Sequence, residues 1–173
     1  MNSRNYILQA IILILYLLAQ IVLFNELILF RSAFAFVYVA FILLLPLEAS
    51  RVAVLFLAFI TGFLLDIFSD TLGIHSAACV LIAFLRPNWL NVITPRGGYD
   101  SVSVPALKVL GFQWFITYIF PIIFVHHFAL FYIEAGGFHM FFTVLGKVLI
   151  STFFNTFLII LVQYLFYRNI RAI

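Results

Sequence analysis

Charge is what this sequence has least of. Of its 173 residues only 9% are charged, while 66% are hydrophobic, 19% are aromatic and the mean hydropathy is +1.25. A soluble domain carries nearer a quarter charged residues, so this chain has too few to cover a water-facing surface and its solvent must be lipid. There is a single cysteine, Cys79, which excludes an intrachain disulfide and, with only His75 near it and the other histidines distant in sequence, a zinc site as well. Placed inside an apolar run, it reads as a small buried hydrophobe. Six acidic residues, mostly between apolar segments, are poor equipment for an enzyme acting on polar substrates. Gly-x-Ser-x-Gly, His-Glu-x-x-His and glycine-rich phosphate loops are all missing from the sequence. Ser76 beside His75 is no triad, because neighbours on a helix point in different directions. The net charge of +3 forms no basic patch, so nucleic acid is not suggested. The reading is therefore a non-enzyme with no cofactor.

Long apolar runs are what the chain does have. Six can be drawn: Tyr6–Phe24, Ser32–Leu47, Val52–Phe68, Leu72–Leu85, Val109–Val125 and Gly146–Phe166. Asn25-Glu26, Pro46 with Glu48, Ser69-Asp70, Arg86-Pro87-Asn88 and Gly136-Gly137 mark the breaks. At about 20 residues per span, six helices use about 120 residues and leave about 50 for connections. The expected fold is an all-α integral membrane protein, one polytopic domain over residues 1–173 built as a bundle of about six transmembrane helices. The second and fourth runs are short for a straight span, which suggests thin, tilted or partly re-entrant segments. Pro46 and Pro87 suit helix ends, and Pro121 should kink the fifth helix. The first run is too long for a signal-peptide core and lacks a small-residue cleavage site, so it reads as a retained span. No internal repeat supports an inverted-repeat transporter.

Charge position then sets orientation. With the N-terminus in the cytoplasm, Arg4, Arg51, Arg86, Arg96, Lys108, Arg168 and Arg171 fall inside, Arg31 falls outside and Lys147 lies in the outer part of the last span. That bias follows the positive-inside rule and puts both termini in the cytoplasm. Trp89, Tyr164 and Tyr167 read as interface anchors. The longest connection, Arg86 to Lys108, is turn-rich around its Thr-Pro-Arg-Gly-Gly-Tyr-Asp run, with Ser103 and Pro105 as a helix start. Trp89, Leu90, Val92 and Ile93 within it suit either a short surface helix or an ordinary loop. Phe128–Ile133 reads as an aromatic outer lip, either a belt or a contact for a partner's membrane anchor.

Few residues could carry chemistry. Ala58, Gly62 and Asp66 follow at four-residue spacing on one helix face, where small residues admit a close neighbour. A carboxylate within a span is costly unless paired, hydrated or protonated, which makes Asp66 an anchor. Asp70 or Ser69 can cap the next helix, Gly73 permits tight packing at its first turn, and His75 reads as hydrogen-bonded packing there, with a relay to Asp66 the rarer use. The last run carries Thr143, Lys147, Ser151 and Asn155 on one stripe, with Thr152 and Thr156 beside it. Such residues bond across helices for about 1 kcal/mol each. Lys147 either snorkels or pairs with Asp66. Gln9, Tyr16 and Gln20 form a similar line on the first helix, and His126-His127 read as belt residues at the outer interface.

The stretch Gly-Phe-Leu-Leu-Asp-Ile-Phe-Ser at Gly62–Ser69, followed by Leu72-Gly73-Ile74-His75, resembles the rod shape-determining protein MreD family. The order of spans and the long loop after the fourth also match in layout, and the phenylalanine count of 23 resembles the Bacteroidota branch. The resemblance implies a non-catalytic inner-membrane subunit of the cell-wall elongation machinery. Its partners would be MreC, the RodA glycosyltransferase, the elongation transpeptidase and, on the cytoplasmic side, the MreB filament. It also implies a fold similar to the substrate-binding subunit of energy-coupling-factor vitamin transporters. Such a subunit is the rival function, with Lys147, Ser151 and Asn155 as candidate ligand contacts.

Overall fold

The structure is a computed structural model that describes residues 3–24, 28–29, 32–99 and 102–166. Expectations placed on Asn25, Glu26, Arg31, Asp100, Tyr167, Arg168 and Arg171 fall outside these residues, as does the side chain of Arg4. The chain begins with α1 (Ser3–Ala19), prolonged by a π-helical turn, Gln20–Phe24. A two-residue antiparallel pairing follows, β1 (Ile28–Leu29) with β2 (Ala33–Phe34), and then a short helix, α2 (Val39–Leu43). After it come α3 (Arg51–Ser69), α4 (Ile74–Val92), the single turn α5 (Leu107–Leu110), α6 (Phe112–Glu134) and α7 (Phe141–Phe166). Among the described residues four helices are long and apolar enough to cross a membrane: α1 with its π turn, α3, α6 and α7. Ile7, Leu8, Ile11 and Ile14 on α1, Phe56, Phe59 and Phe63 on α3, and Phe153 and Phe157 on α7 are exposed. Rows of that kind suit lipid and not water. This is an all-α membrane protein.

The six-helix bundle is not what forms. Ser32–Leu47 is not a spanning helix but a buried, largely irregular strand of chain. From Ala33 to Val37 buried and half-buried residues alternate, and the rings of Phe34 and Phe36 stack on one side, 6.3 Å apart, as two-residue periodicity requires. From Tyr38 to Leu43 every residue is buried. At one end Phe34 packs against Phe131 and Phe36 against His75; at the other the Leu47 N–H donates to the Ser103 carbonyl. Five extended residues reach about 16 Å and the helical remainder about 10 Å, close to the about 28 Å of the 19-residue α3. The run was short for a helix because five of its sixteen residues are stretched. It returns the chain to the end where Ser50 caps α3 through the Ala53 N–H. The described ends of α1 and α7 consequently lie at one end of the bundle, together with the exposed Arg51, Arg96 and Lys108.

The fourth run also differs from expectation. Arg86-Pro87-Asn88 is no break: α4 runs through Pro87 to Val92, so Trp89 and Leu90 belong to its last turns and not to a loop or a surface helix. The helix is central, packed on α2, α3 and α6, and of the polar residues that looked like a boundary Arg86 faces inward while Asn88 is exposed. α6 likewise extends two turns beyond Val125 and stops at Gly136 and Gly137, both at positive φ. Ser103 and Pro105 start no helix; α5 begins after Ala106.

Pro121 leaves the Thr117 carbonyl without its intrahelical donor. The Trp89 indole N–H of α4 donates to that carbonyl at 3.1 Å, so one helix repairs the ladder of the other. Trp89→Phe should cost about 1–2 kcal/mol of unfolding free energy in mixed micelles. With Pro121→Ala, whose N–H can serve Thr117 itself, the same change should cost close to nothing; equal costs in both backgrounds would separate Trp89 from the proline.

Candidate functional site

Two polar clusters hold the interior, and both start from residues singled out in the sequence. The first surrounds Asp66 in the last turn of α3, only 5% exposed. Its Oδ1 accepts from the Thr71 hydroxyl at 2.6 Å and the His75 N–H at 2.9 Å, and lies 3.1 Å from His75 Nδ1. Its Oδ2 accepts from the Ser76 N–H at 2.9 Å and the Ser76 hydroxyl at 2.6 Å. His75 and Ser76 are in the first turn of α4, whose N–H groups have no helical acceptor. A carboxylate there satisfies two of them and meets the positive end of the helix dipole. Asp66 therefore caps the next helix from across the turn, the task expected of Asp70 or Ser69.

Gly62, one turn earlier, makes this approach possible. A Cβ on it would sit 2.4 Å from Ser76 Cα and 2.6 Å from the His75 carbonyl oxygen, inside any allowed contact. Asp70 instead ends α3 in the left-handed region at φ 52, its N–H donating to the Asp66 carbonyl. Gly73 is not a close-packing glycine: a Cβ there would meet nothing, and what the turn uses is its φ of +88. Lys147 does not pair with Asp66. Among the described residues the ion-pair contact of Asp66 is His75, while Lys147 is exposed beside Glu134 and Thr143 in a separate cleft.

The second cluster holds the irregular crossing. Asn155 of α7 is wholly buried; its Oδ1 accepts from the Phe36 N–H and its Nδ2 donates to the Phe34 carbonyl at 2.7 Å. Ser151, one turn away, accepts from the Phe34 N–H at 3.1 Å, and Gln20 donates to the Ala35 carbonyl at 2.8 Å. The stripe read as glue between helices is glue between a helix and a bare backbone. Asn155 and Ser151 are thus committed to the backbone of the crossing.

His126 and His127 are not belt residues: both are fully buried. Asn155 Nδ2 lies 2.9 Å from His127 Nε2, His127 Nδ1 3.2 Å from His126 Nδ1, and His126 Nε2 3.1 Å from the Tyr38 hydroxyl. The backbone of Phe34 and Phe36 fixes the Asn155 amide, so His127 Nε2 accepts. The proton of His127 then sits on Nδ1, between the Ile123 carbonyl and His126 Nδ1, and His126 Nε2 pairs with the Tyr38 hydroxyl. Phe36 packs edge-on to all three histidines, His75, His126 and His127, at 5.3–6.3 Å between centroids. No group of His, Cys, Asp or Glu among the described residues could hold a metal ion.

Arg86, also missed in the sequence, is buried at the opposite end. It donates to the Leu45 carbonyl and, at 2.9 Å, to the Tyr118 hydroxyl, which donates to the Leu43 carbonyl at 2.8 Å. The Leu43 carbonyl is a free C-terminal carbonyl of α2 and that of Leu45 lies just past its cap, where a cation is favoured. Arg86 shares a face with Cys79, Ile82, Ala83 and Leu90, and that spacing was a readable signal. No family model matches the chain, and no curated protein or solved structure matches it either.

Asp66→Asn should lower stability by about 3 kcal/mol by stranding buried donors, and Gly62→Ala by at least about 2 kcal/mol through overlap. Lys147→Met and Asp70→Gly should leave it within about 0.5 kcal/mol or raise it slightly. Chemical unfolding in micelles gives the ranking, and a Lys147→Met loss matching that of Asp66→Asn would contradict the assignment. Asn155→Leu removes partners of two backbone groups and should cost about 2–4 kcal/mol by the same assay.

Proposed function

We propose that this protein is a non-catalytic scaffold subunit of the bacterial cell-wall elongation machinery, similar to the MreD family and set in the inner membrane with both termini cytoplasmic. The observation that carries the reading is the Gly62–Asp66 clasp. The residues on which the resemblance rests form one joint, with Gly62 admitting the backbone of Ser76 and Asp66 capping α4. Asp66, Arg86, Ser151 and Asn155 in the interior are engaged with backbone, which suits a rigid platform. Arg51, Arg96 and Lys108 gather at the end shared by the described ends of α1 and α7, and the positive-inside rule supports a cytoplasmic placing for it. The opposite end carries the aromatic group Phe128, Tyr132, Phe138 and Phe141, with Phe138 and Phe142 exposed. Surface of that kind suits the membrane anchor of MreC, and through MreC the synthases RodA and the elongation transpeptidase; MreB would be reached from the cytoplasmic side. The rival reading, a substrate-binding subunit of an energy-coupling-factor transporter, loses its expected ligand contacts at Ser151 and Asn155, which the crossing segment occupies.

A pull-down of the tagged chain from native membranes in mild detergent should recover MreC with RodA or the transpeptidase, and Gly62→Ala should reduce that recovery several-fold. Recovery of paired ATPases with a coupling membrane subunit would instead establish the transporter reading.

A further inference from the structure

A cleft of about 200 Å³ opens beside the Asp66 clasp, lined by Phe34, Phe36, Ser69, Thr71, His75, Phe131 and Glu134 among others. Its volume is below that of a drug-sized site and suits a single small group. Three of its walls are aromatic: Phe34 and Phe131 lie 5.4 Å apart, Phe36 and Phe131 5.9 Å, and Phe36 meets His75 edge-on at 6.0 Å. Ring faces in such a box attract cations.

The polar lining favours the same kind of guest. His75 is only 8% exposed and its Nδ1 is turned to the Asp66 carboxylate and the Thr71 hydroxyl. In a neutral ring held that way Nδ1 carries the proton, so Nε2 is left as an acceptor. Glu134 is close enough to act on His75 electrostatically. It is the last residue of α6, where a carboxylate meets the negative end of the helix dipole, so it does not serve that helix. Lys147 lines the adjoining cleft but makes no ion pair with Glu134. Among the described residues Glu134 has no ion-pair partner, and it shares this small aromatic cleft with His75.

We propose that this cleft binds one cationic hydrogen-bond donor, an ammonium or guanidinium group, between Glu134 and His75 Nε2 against the rings of Phe34, Phe36 and Phe131. Glu134 ends α6 at the end opposite the cluster of Arg51, Arg96 and Lys108, so the cleft opens at headgroup level and the group is that of an amine lipid; the inference holds whichever function the protein serves. The test uses the full chain in phosphatidylcholine nanodiscs with methylguanidinium as probe and equal sodium chloride as control. Saturating probe should raise the unfolding midpoint of the natural chain by about 3 °C and leave that of Glu134→Gln unmoved. Glu134 is exposed and makes no ion pair among the described residues, so this variant should fold. Tetramethylammonium, which has no N–H, should protect less. Equal responses of the two chains, or no response from either, would overturn the proposal. Repeating the measurement in phosphatidylethanolamine nanodiscs tests the lipid: a diminished shift means the headgroup already fills the cleft, and an undiminished one overturns the lipid as occupant in favour of a basic side chain of a partner.

Discussion

A backbone at membrane depth has no water to bond, and that constraint organises this molecule. Helices satisfy it alone; Ala33–Val37 cannot, because extended chain turns its N–H and C=O groups outward. The fold answers by surrounding the stretch with side chains that take over the missing partners. Asn155 and Ser151 come from α7 and Gln20 from the end of α1. Further along, Arg86 and Tyr118 collect the carbonyls that α2 leaves open. The polar residues of this hydrophobic chain are thus placed where backbone would be orphaned.

The clasp at Asp66 follows the same logic at a helix end. The first turn of α4 presents free N–H groups at the membrane edge, and one carboxylate serves two of them together with two hydroxyls. Gly62 provides the room and Asp70 and Gly73 the left-handed turn that lets α3 and α4 meet so tightly. Trp89 at Thr117 is a third case, this time for a carbonyl left by proline. Charge is used sparingly because each charged group in the interior needs several donors or acceptors around it.

Much of this was legible in the sequence. Long apolar runs marked α1, α3, α6 and α7, and the glycine–aspartate spacing marked the clasp. The polar stripe on the last helix was recognised as glue, although what it holds was not. Three features stayed hidden for physical reasons. An apolar run of sixteen residues looks the same whether it is a short helix or a buried, partly extended crossing, since both need only apolar side chains. Arg86-Pro87 reads as a boundary because both residues are usually found at one, yet a proline is tolerated in a membrane helix with packed neighbours. His126 and His127 were misplaced because the fifth run was ended at Val125; drawn on to the stop at Gly136-Gly137, it puts them inside the helix.

The central claim is that residues 33–47 cross the bundle as buried, partly extended chain. Thiol accessibility tests it most directly, in inside-out and right-side-out vesicles of a Cys79→Ala background carrying one cysteine at Ser32, Ala40 or Glu48. The account predicts that cysteines at 32 and 48 react from opposite faces and that the one at 40 reacts from neither. Labelling of positions 32 and 48 from the same face would contradict the crossing.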